Sequence, residues 1–138
     1  HAMRVEEEDI EVAVTGYART LQEIAGSPAV IDLVHLGLGV DGHTASLVPT
    51  DPVLDINDRD VALTGVYHGR CRMTLTYSII NRSRRILWMV TGSEKSEMLL
   101  RLRDGDRAIP AGRVVQDRAQ VLADRAAAEK LKNKKGKL

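Results

Sequence analysis

Two short apolar runs, each stopped by a glycine, constrain the fold of this chain more than any other feature. They are Val30–Leu36, stopped by Gly37, and Arg85–Val90, followed closely by Gly92. Runs of β-branched residues and leucine favour strands that are buried on both faces, as in a parallel sheet. Before the first run, apolar residues within Glu6–Ala25 recur at the three- and four-residue steps of a helix. Helices alternating with strands predict an α/β protein with an open, mostly parallel sheet and flanking helices.

The other predicted elements are shorter and are bounded by proline and glycine. They are a strand at Val61–Val66, a helix within Met73–Asn81 capped by Thr74 or Thr76, and helices at Ser93–Arg103 and Arg118–Lys132. Residues 51–60 and 108–115 are predicted to be loops, and the lysine-rich end is expected to be a solvated tail. Pro49 and Pro52 leave room for only a short helical turn at 44–47.

The composition excludes several classes of function. Only 3% of the residues are aromatic and the net charge is +1, which argues against a nucleic-acid surface built on stacking or on a strong positive field. Cys71 is the only cysteine in the sequence, so we expect a reduced, cytoplasmic protein without an internal disulfide. No apolar run approaches the roughly 20 residues that a membrane helix needs.

The segment Gly37-Leu-Gly-Val-Asp-Gly-His43 is the best candidate for chemistry, because ligands bind at the carboxyl ends of strands in open α/β sheets. Its glycines, Gly37, Gly39 and Gly42, allow backbone to approach a ligand and leave N–H groups that can point at it. An imidazole such as His43 can act as a general base near neutral pH, and Asp41 either orients it or shapes the turn. His35, inside the strand, is interpreted as a packed histidine.

The same segment formally matches the G-x-G-x-x-G pattern of dinucleotide-binding proteins. That interpretation needs a long helix directly after the third glycine, but Pro49 comes too early. It also needs an acidic residue at the end of the next strand, whereas Asp58 and Asp60 precede the strand predicted at Val61–Val66. We therefore expect no organic cofactor. We expect no metal either, because no Cys/His/Asp cluster has the spacing of metal ligands.

Two basic residues are candidates for binding phosphate. Lys95 falls in the first turn of the helix after the second strand, where free N–H groups and an ammonium attract phosphate. The alternative is a solvated lysine beside a capping box from Thr91 to Glu94. Arg72 is the second candidate. Its alternative is a surface arginine, and Arg70 is close enough to take the role instead.

The string from Asp32 to Pro49, DLVHLGLGVDGHTASLVP, closely resembles the signature of the 6-phosphogluconolactonases. The resemblance continues in the family's order through Arg72–Thr76, Trp88–Lys95 and Ile109–Arg113. Val48 stands where the family usually has phenylalanine, which we interpret as a change in packing. The resemblance implies a Rossmann-like sheet of the kind found in glucosamine-6-phosphate isomerases. It also implies a place in the oxidative pentose phosphate pathway.

The resemblance implies hydrolysis of 6-phosphogluconolactone to 6-phosphogluconate, a reaction of a small phosphorylated sugar with no nucleic-acid or membrane partner. His43 would take a proton from the attacking water, and backbone N–H groups near Gly37 to Gly39 would hold the developing oxyanion. Two alternatives stay open. One is a glucosamine-6-phosphate deaminase, a family that normally has a glutamate five residues after the histidine, where this chain has Val48. The other is a non-catalytic module that binds a sugar phosphate.

The boundaries of the resemblance suggest how the chain is organised. Residues 1–3 are interpreted as a cloning remnant, and residues 4–138 as the C-terminal part of a single 6-phosphogluconolactonase-like domain. The family pattern implies an earlier half with more strands and a glycine/serine phosphate loop. We therefore expect the chain to be inactive alone and to pair with that missing half or with another chain.

Overall fold

The structure is a computed structural model that describes residues 1–133; the lysine-rich end predicted to be a solvated tail lies largely outside these residues. The helices are α1 (Ile10–Ala25), α2 (Tyr77–Arg82), α3 (Ser96–Arg103) and α4 (Glu129–Asn133). The strands are β1 (Leu33–Gly37), β2 (Val61–Leu63), β3 (Met73–Leu75), β4 (Arg85–Val90) and β5 (Ala119–Ala123). Three 3₁₀ helices lie at Pro52–Asp55, Ser93–Lys95 and Pro110–Arg113. Among the described residues, no helix combines the length and the apolar character that crossing a membrane requires.

A three-stranded parallel sheet in the order β1-β4-β5 forms the centre of the fold. Trp88 of β4 lies opposite Leu36 of β1 on one side and Val121 of β5 on the other. One face of the sheet packs into the main apolar core, together with buried side chains of α2 and α3 such as Ile79 and Leu99. The predicted α/β class with a mostly parallel sheet is therefore confirmed.

The other face of this sheet is open to solvent among the described residues. Its apolar side chains, Leu33, Leu87, Met89 and Leu122, define what we call the open sheet face. Leu33, Met89 and Leu122 are 48%, 49% and 58% exposed. Within residues 1–133 the prediction that the first strand is buried on both faces is wrong, because β1 alternates between exposed and buried residues. His35 is exposed on this same side, so the prediction of a packed histidine is also wrong.

Helix α1 packs on a two-stranded antiparallel sheet formed by β2 and β3. Ala13 and Val14 of the helix share a small apolar core with Val61 and Met73 of the strands. The helix begins later than the predicted Glu6 because Asp9 caps it, accepting a hydrogen bond of 3.0 Å from the Glu11 N–H. It ends at Gly26 as predicted, where the backbone φ angle is +88°.

The predicted helix at Arg118–Lys132 is wrong in its first half. Residues Ala119–Ala123 form β5 instead, and only Glu129–Asn133 at the end is helical. Alanine, glutamine and leucine are good helix formers, but parallel pairing with β4 overrides that local preference. Asp124 then turns the chain, since its carboxylate accepts the N–H groups of Ala127 at 2.7 Å and Gly92 at 3.1 Å.

Three further predictions are corrected in detail. Residues 73–75 are strand β3 and the helix begins only at Tyr77, with Thr76 at the N-cap position but its hydroxyl bonded to the Arg59 carbonyl. Residues 44–47 form a bridged turn between Thr44 and Leu47, not a helical turn. The predicted loops 51–60 and 108–115 each contain a 3₁₀ helix, because Val53, Leu54 and Ala111 are buried in the core.

Candidate active site

His43 and Asp41 form a hydrogen-bonded pair just beyond the carboxyl end of β1. The ring Nδ1 of His43 lies 2.6 Å from Asp41 Oδ1, and the His43 backbone N–H donates to the same oxygen at 3.1 Å. Burial raises the pKa of Asp41, but these hydrogen bonds and the charge interaction with His43 outweigh it and place the pKa below its ordinary value. An ionised Asp41 accepts a hydrogen bond from Nδ1–H of His43, and in that neutral tautomer the lone pair is on Nε2. The pair therefore has the geometry of a general base oriented by a carboxylate.

Gly39 makes room for this pair. A Cβ atom at Gly39 would lie 2.1 Å from His43 Nδ1 and 2.7 Å from Asp41 Oδ1. The Gly39 N–H donates to the His43 carbonyl at 2.8 Å, and the Gly42 N–H donates to the Gly39 carbonyl at 3.1 Å, which closes the turn. Of the N–H groups near Gly37 to Gly39 that were expected to hold an oxyanion, the Gly39 amide is thus already bonded within the turn. Glycine is required at position 39 because the His43 ring packs directly against its Cα.

Gly42 is held by a segment from the other end of the chain, Ile109–Arg113. The backbone φ angle of Gly42 is +83°, a conformation that favours glycine, and a Cβ there would lie 2.7 Å from Ile109 Cβ. The Gly42 carbonyl accepts the Ala111 N–H at 2.9 Å. We call Ile109–Arg113 the clamp segment, because it fixes the residue between Asp41 and His43.

The residues around the turn tie it to two strands. The buried hydroxyl of Thr44 donates to the Gly37 carbonyl at the end of β1 at 2.9 Å, and the Ser46 N–H donates to Thr74 Oγ1 of β3 at 3.1 Å. Gly37 has no neighbouring atom within 4 Å of an added Cβ, so the space beside it is open to a ligand. The turn is thus fixed on its protein side and open beside Gly37.

Lys95 lies at the same edge of the sheet as the His43 turn. β1 and β4 are adjacent and parallel, with Gly37 opposite Met89, so the segments that follow both strands leave the sheet on one side. Lys95 is half-buried, and among residues 1–133 no carboxylate forms an ion pair with it. The alternative capping box from Thr91 to Glu94 is not formed, because Gly92 occupies the N-cap position without any side-chain cap.

Arg72 and Arg70 lie on the β2–β3 hairpin and are both exposed. The Arg72 guanidinium sits 5.2 Å from the centre of the Tyr67 ring, a cation–π contact. The hydrogen bond between Thr74 and Ser46 holds the strand that follows Arg72 against the histidine turn. The structure thus unites Asp41, His43 and the glycines in one turn and places Lys95 at the same edge, with Arg72 on a neighbouring hairpin.

Comparison with known protein families shows which family this chain belongs to. The family model described as glucosamine-6-phosphate isomerases/6-phosphogluconolactonase matches residues 1–123. The chain belongs to this family. The resemblance seen in the sequence motifs is therefore confirmed for the greater part of the chain.

Individual members of the glucosamine-6-phosphate isomerase/6-phosphogluconolactonase family are similar over much of this chain. The 6-phosphogluconolactonase of Synechocystis sp. is 40% identical over 93 residues, covering 67% of this chain and 38% of that protein. The Rattus norvegicus 6-phosphogluconolactonase is 37% identical over 130 residues, covering 88% of this chain and 50% of that protein. A solved 6-phosphogluconolactonase from Trypanosoma brucei superposes with a TM-score of 0.71 at 26% identity, covering 88% of this chain and 53% of the other. The chain thus spans about half the length, or less, of the relatives that it matches.

Several supporting residues of the site have no signal in the sequence. Tyr77 donates a hydrogen bond to the Pro110 carbonyl in the clamp segment, and Asn81 contacts the same stretch further on. No local pattern links a helix tyrosine to a carbonyl 33 residues away. The family motif at Ile109–Arg113 was the only indication that this stretch belongs to the site.

Proposed function

We propose that the protein hydrolyses 6-phosphogluconolactone to 6-phosphogluconate, with His43 as the general base. The observation that carries this proposal is the 2.6 Å contact between His43 Nδ1 and Asp41, in a turn beyond β1 of a chain from this family. His43 Nε2 takes a proton from water while the water oxygen bonds to the lactone carbonyl carbon. The ring C–O bond then breaks, and the proton on Nε2 passes to the leaving ring oxygen. The product is the open-chain acid, and no cofactor is required.

A direct assay tests this proposal. We expect the full gene product to open 6-phosphogluconolactone faster than the spontaneous reaction, measured as acid release at constant pH. Binding of 6-phosphogluconate without any acceleration would favour the alternative of a non-catalytic sugar-phosphate module. If the protein neither binds 6-phosphogluconate nor accelerates lactone opening, both functions are ruled out.

A deaminase of the same family is the weaker candidate. The position five residues after His43 is Val48, which is 3% exposed and packed in the protein interior. No carboxylate is available at that position to complete the acidic partner expected of a deaminase. We expect no ammonia release from glucosamine 6-phosphate in the assay that measures lactone opening.

Lys95→Ala should weaken substrate binding more than catalysis. We propose that the Lys95 ammonium, which has no carboxylate partner among residues 1–133, contacts the substrate phosphate. The phosphate is remote from the reacting carbonyl, so this contact contributes equally to the ground and transition states. Steady-state kinetics should show a KM raised about tenfold, the effect of losing roughly 1.4 kcal/mol of binding energy, with kcat little changed.

Two controls sharpen the Lys95 experiment. Lys130→Ala removes an exposed lysine whose partner is Glu97 on the surface, and its KM should equal that of the parent protein. The KM for an unphosphorylated lactone should not respond to Lys95→Ala. An unchanged KM for the phosphorylated substrate would show that Lys95 is a solvated helix residue and does not bind the phosphate. Arg72→Ala would then be the next variant to measure, with Arg70→Ala for comparison.

We also propose that the open sheet face is covered in the functional protein by polypeptide equivalent to the half of the relatives that this chain does not span. Met89 and Leu122 are paired apolar side chains on this face, and Leu33 is exposed on the same face at the other end of β1. A parallel sheet normally has both faces covered. The solved relative is matched over 53% of its length, so its chain contains polypeptide that can fill this place. On this proposal the 138 residues alone are inactive.

Leu122→Gln distinguishes a covered face from an open one. Leu122 is 58% exposed in the structure, so on an open face the change should alter the free energy of unfolding by less than about 0.5 kcal/mol. If other polypeptide covers the face, the unpaired amide and the lost apolar contact should cost about 2 kcal/mol in the full gene product. Val66→Gln is the matched control, because Val66 is 74% exposed on the β2–β3 connection. Equal denaturation midpoints for the two variants would show that the face stays open.

A further inference from the structure

The hydroxyl of Tyr77 reaches from α2 to the clamp segment. Its Oη donates to the Pro110 carbonyl at 2.7 Å, and Pro110 is buried. Burial raises the pKa of Tyr77 to about 12, although the nearby Arg113 and Arg107 act in the opposite direction. The hydroxyl therefore remains a protonated donor throughout the neutral pH range, and without it the buried carbonyl would lose this hydrogen bond.

Pro110 lies between the two residues of the clamp segment that hold Gly42. Ile109 fills the space where a side chain at Gly42 would lie, and the Ala111 N–H donates to the Gly42 carbonyl at 2.9 Å. Gly42 in turn separates Asp41 from His43, so its position sets where the carboxylate meets the ring. A displacement of Pro110 is thereby passed to the His43–Asp41 contact through one side-chain contact and one backbone hydrogen bond.

We infer that Tyr77 is a positioning residue for His43: its hydroxyl fixes the clamp segment, and the clamp segment fixes the turn that holds the histidine against Asp41. Asn81, one helical turn further along α2, accepts the Val115 N–H at 2.9 Å and anchors the chain just beyond the clamp segment. Asn81 Nδ2 also donates to the carbonyl of Arg113, the last residue of the clamp segment, at 3.4 Å. α2 thus holds this part of the chain through two side chains, and of the two only Tyr77 contacts the residue between Ile109 and Ala111. The inference rests on the proposed lactonase function for its kinetic consequence, but not for its structural one.

Tyr77→Phe tests the inference because it removes the hydroxyl and keeps the ring. We expect kcat for lactone opening to fall by about three- to tenfold with KM unchanged, since a small misplacement of a catalytic group lowers the rate without removing a substrate contact. The carboxyl pKa of Asp41, followed by ¹³C NMR, should rise toward its ordinary value, because the hydrogen bonds from His43 that lower it will be formed less often.

Two further variants keep the test decisive. Tyr17→Phe makes the same change on α1, away from the site, and should leave kcat and the Asp41 pKa unchanged. Replacing Tyr77 with 4-aminophenylalanine retains a donor at the same place and should restore both quantities, even if Tyr77→Phe folds poorly. An inactive full gene product would remove the proposed function but leave the NMR test intact. An Asp41 pKa that is the same in the parent, in Tyr77→Phe and in the 4-aminophenylalanine variant would overturn the positioning role.

Discussion

His43→Ala should lower kcat for lactone opening by about 100-fold or more, the usual effect of losing a general base. The alanine cannot accept a proton from water, while the main chain of residue 43 keeps both its hydrogen bonds. Its amide still donates to the Asp41 carboxylate and its carbonyl still accepts the Gly39 N–H. KM should change little, because the histidine acts on water and not on the phosphate. Initial rates at several substrate concentrations, corrected for spontaneous hydrolysis, give both constants.

His68→Asn provides the control for this change. His68 is an exposed histidine with a positive φ angle of 51°, a conformation that asparagine tolerates well. The kcat of the His68→Asn variant should equal that of the parent protein. If the His43→Ala enzyme also turns over at the parent rate, the base must be another group and the proposed mechanism is wrong.

Gly39→Ala should be nearly as harmful, by about 100-fold in kcat, although it adds only a methyl group. The new Cβ would lie 2.1 Å from His43 Nδ1, so the ring and Asp41 must separate or the turn must shift. Misplacing a catalytic group by about 1 Å is enough to cost this much. The backbone of Gly39 does not have a positive φ angle, so alanine is allowed there and the loss should fall on the site.

The comparison for Gly39→Ala is Gly16→Ala in α1, where an added Cβ meets nothing within 4 Å. That change should leave kcat unaltered and stabilise the helix by roughly 0.5–1 kcal/mol. Thermal melting and kinetics on both variants separate an effect on the site from an effect on the fold. Parent-like kinetics in Gly39→Ala would mean that the 2.6 Å contact between His43 and Asp41 is not needed for turnover.

Strands that consist of an apolar, β-branched run could be predicted from the sequence. A strand that forms only because it pairs with a neighbouring strand could not. Strand β4 has the predicted bounds, Arg85–Val90, because its β-branched and aromatic residues favour a strand locally. β5 was predicted as helix, since Ala119–Ala123 becomes a strand only through its hydrogen bonds to β4. The burial of β1 was overestimated because composition shows that a residue is apolar, not whether another layer covers it.

The same division applies to the site. The motif placed Asp41 and His43 in one tight turn but left open whether Asp41 orients the histidine or shapes the turn. In the structure its carboxylate contacts both the ring and the backbone N–H of His43. Parallel strands explain why Lys95 is at the same edge, because it follows β4 as the turn follows β1. The sequence did not show that Gly39 makes space for the His43 ring, because a pattern of glycines does not distinguish a free amide from space for a neighbouring side chain.

Because the Ala111 N–H donates to the Gly42 carbonyl, the turn depends on a part of the chain that lies about 70 residues away, and it cannot be moved alone into a designed protein. The seven residues of Gly37–His43 look like a portable catalytic loop. Grafted onto another strand–turn scaffold they would lack the clamp segment, and nothing would keep Gly42 at its positive φ angle with Ile109 against it. Transplanting the chemistry would require at least three separate pieces of backbone: the turn, the clamp segment and the helix that carries Tyr77.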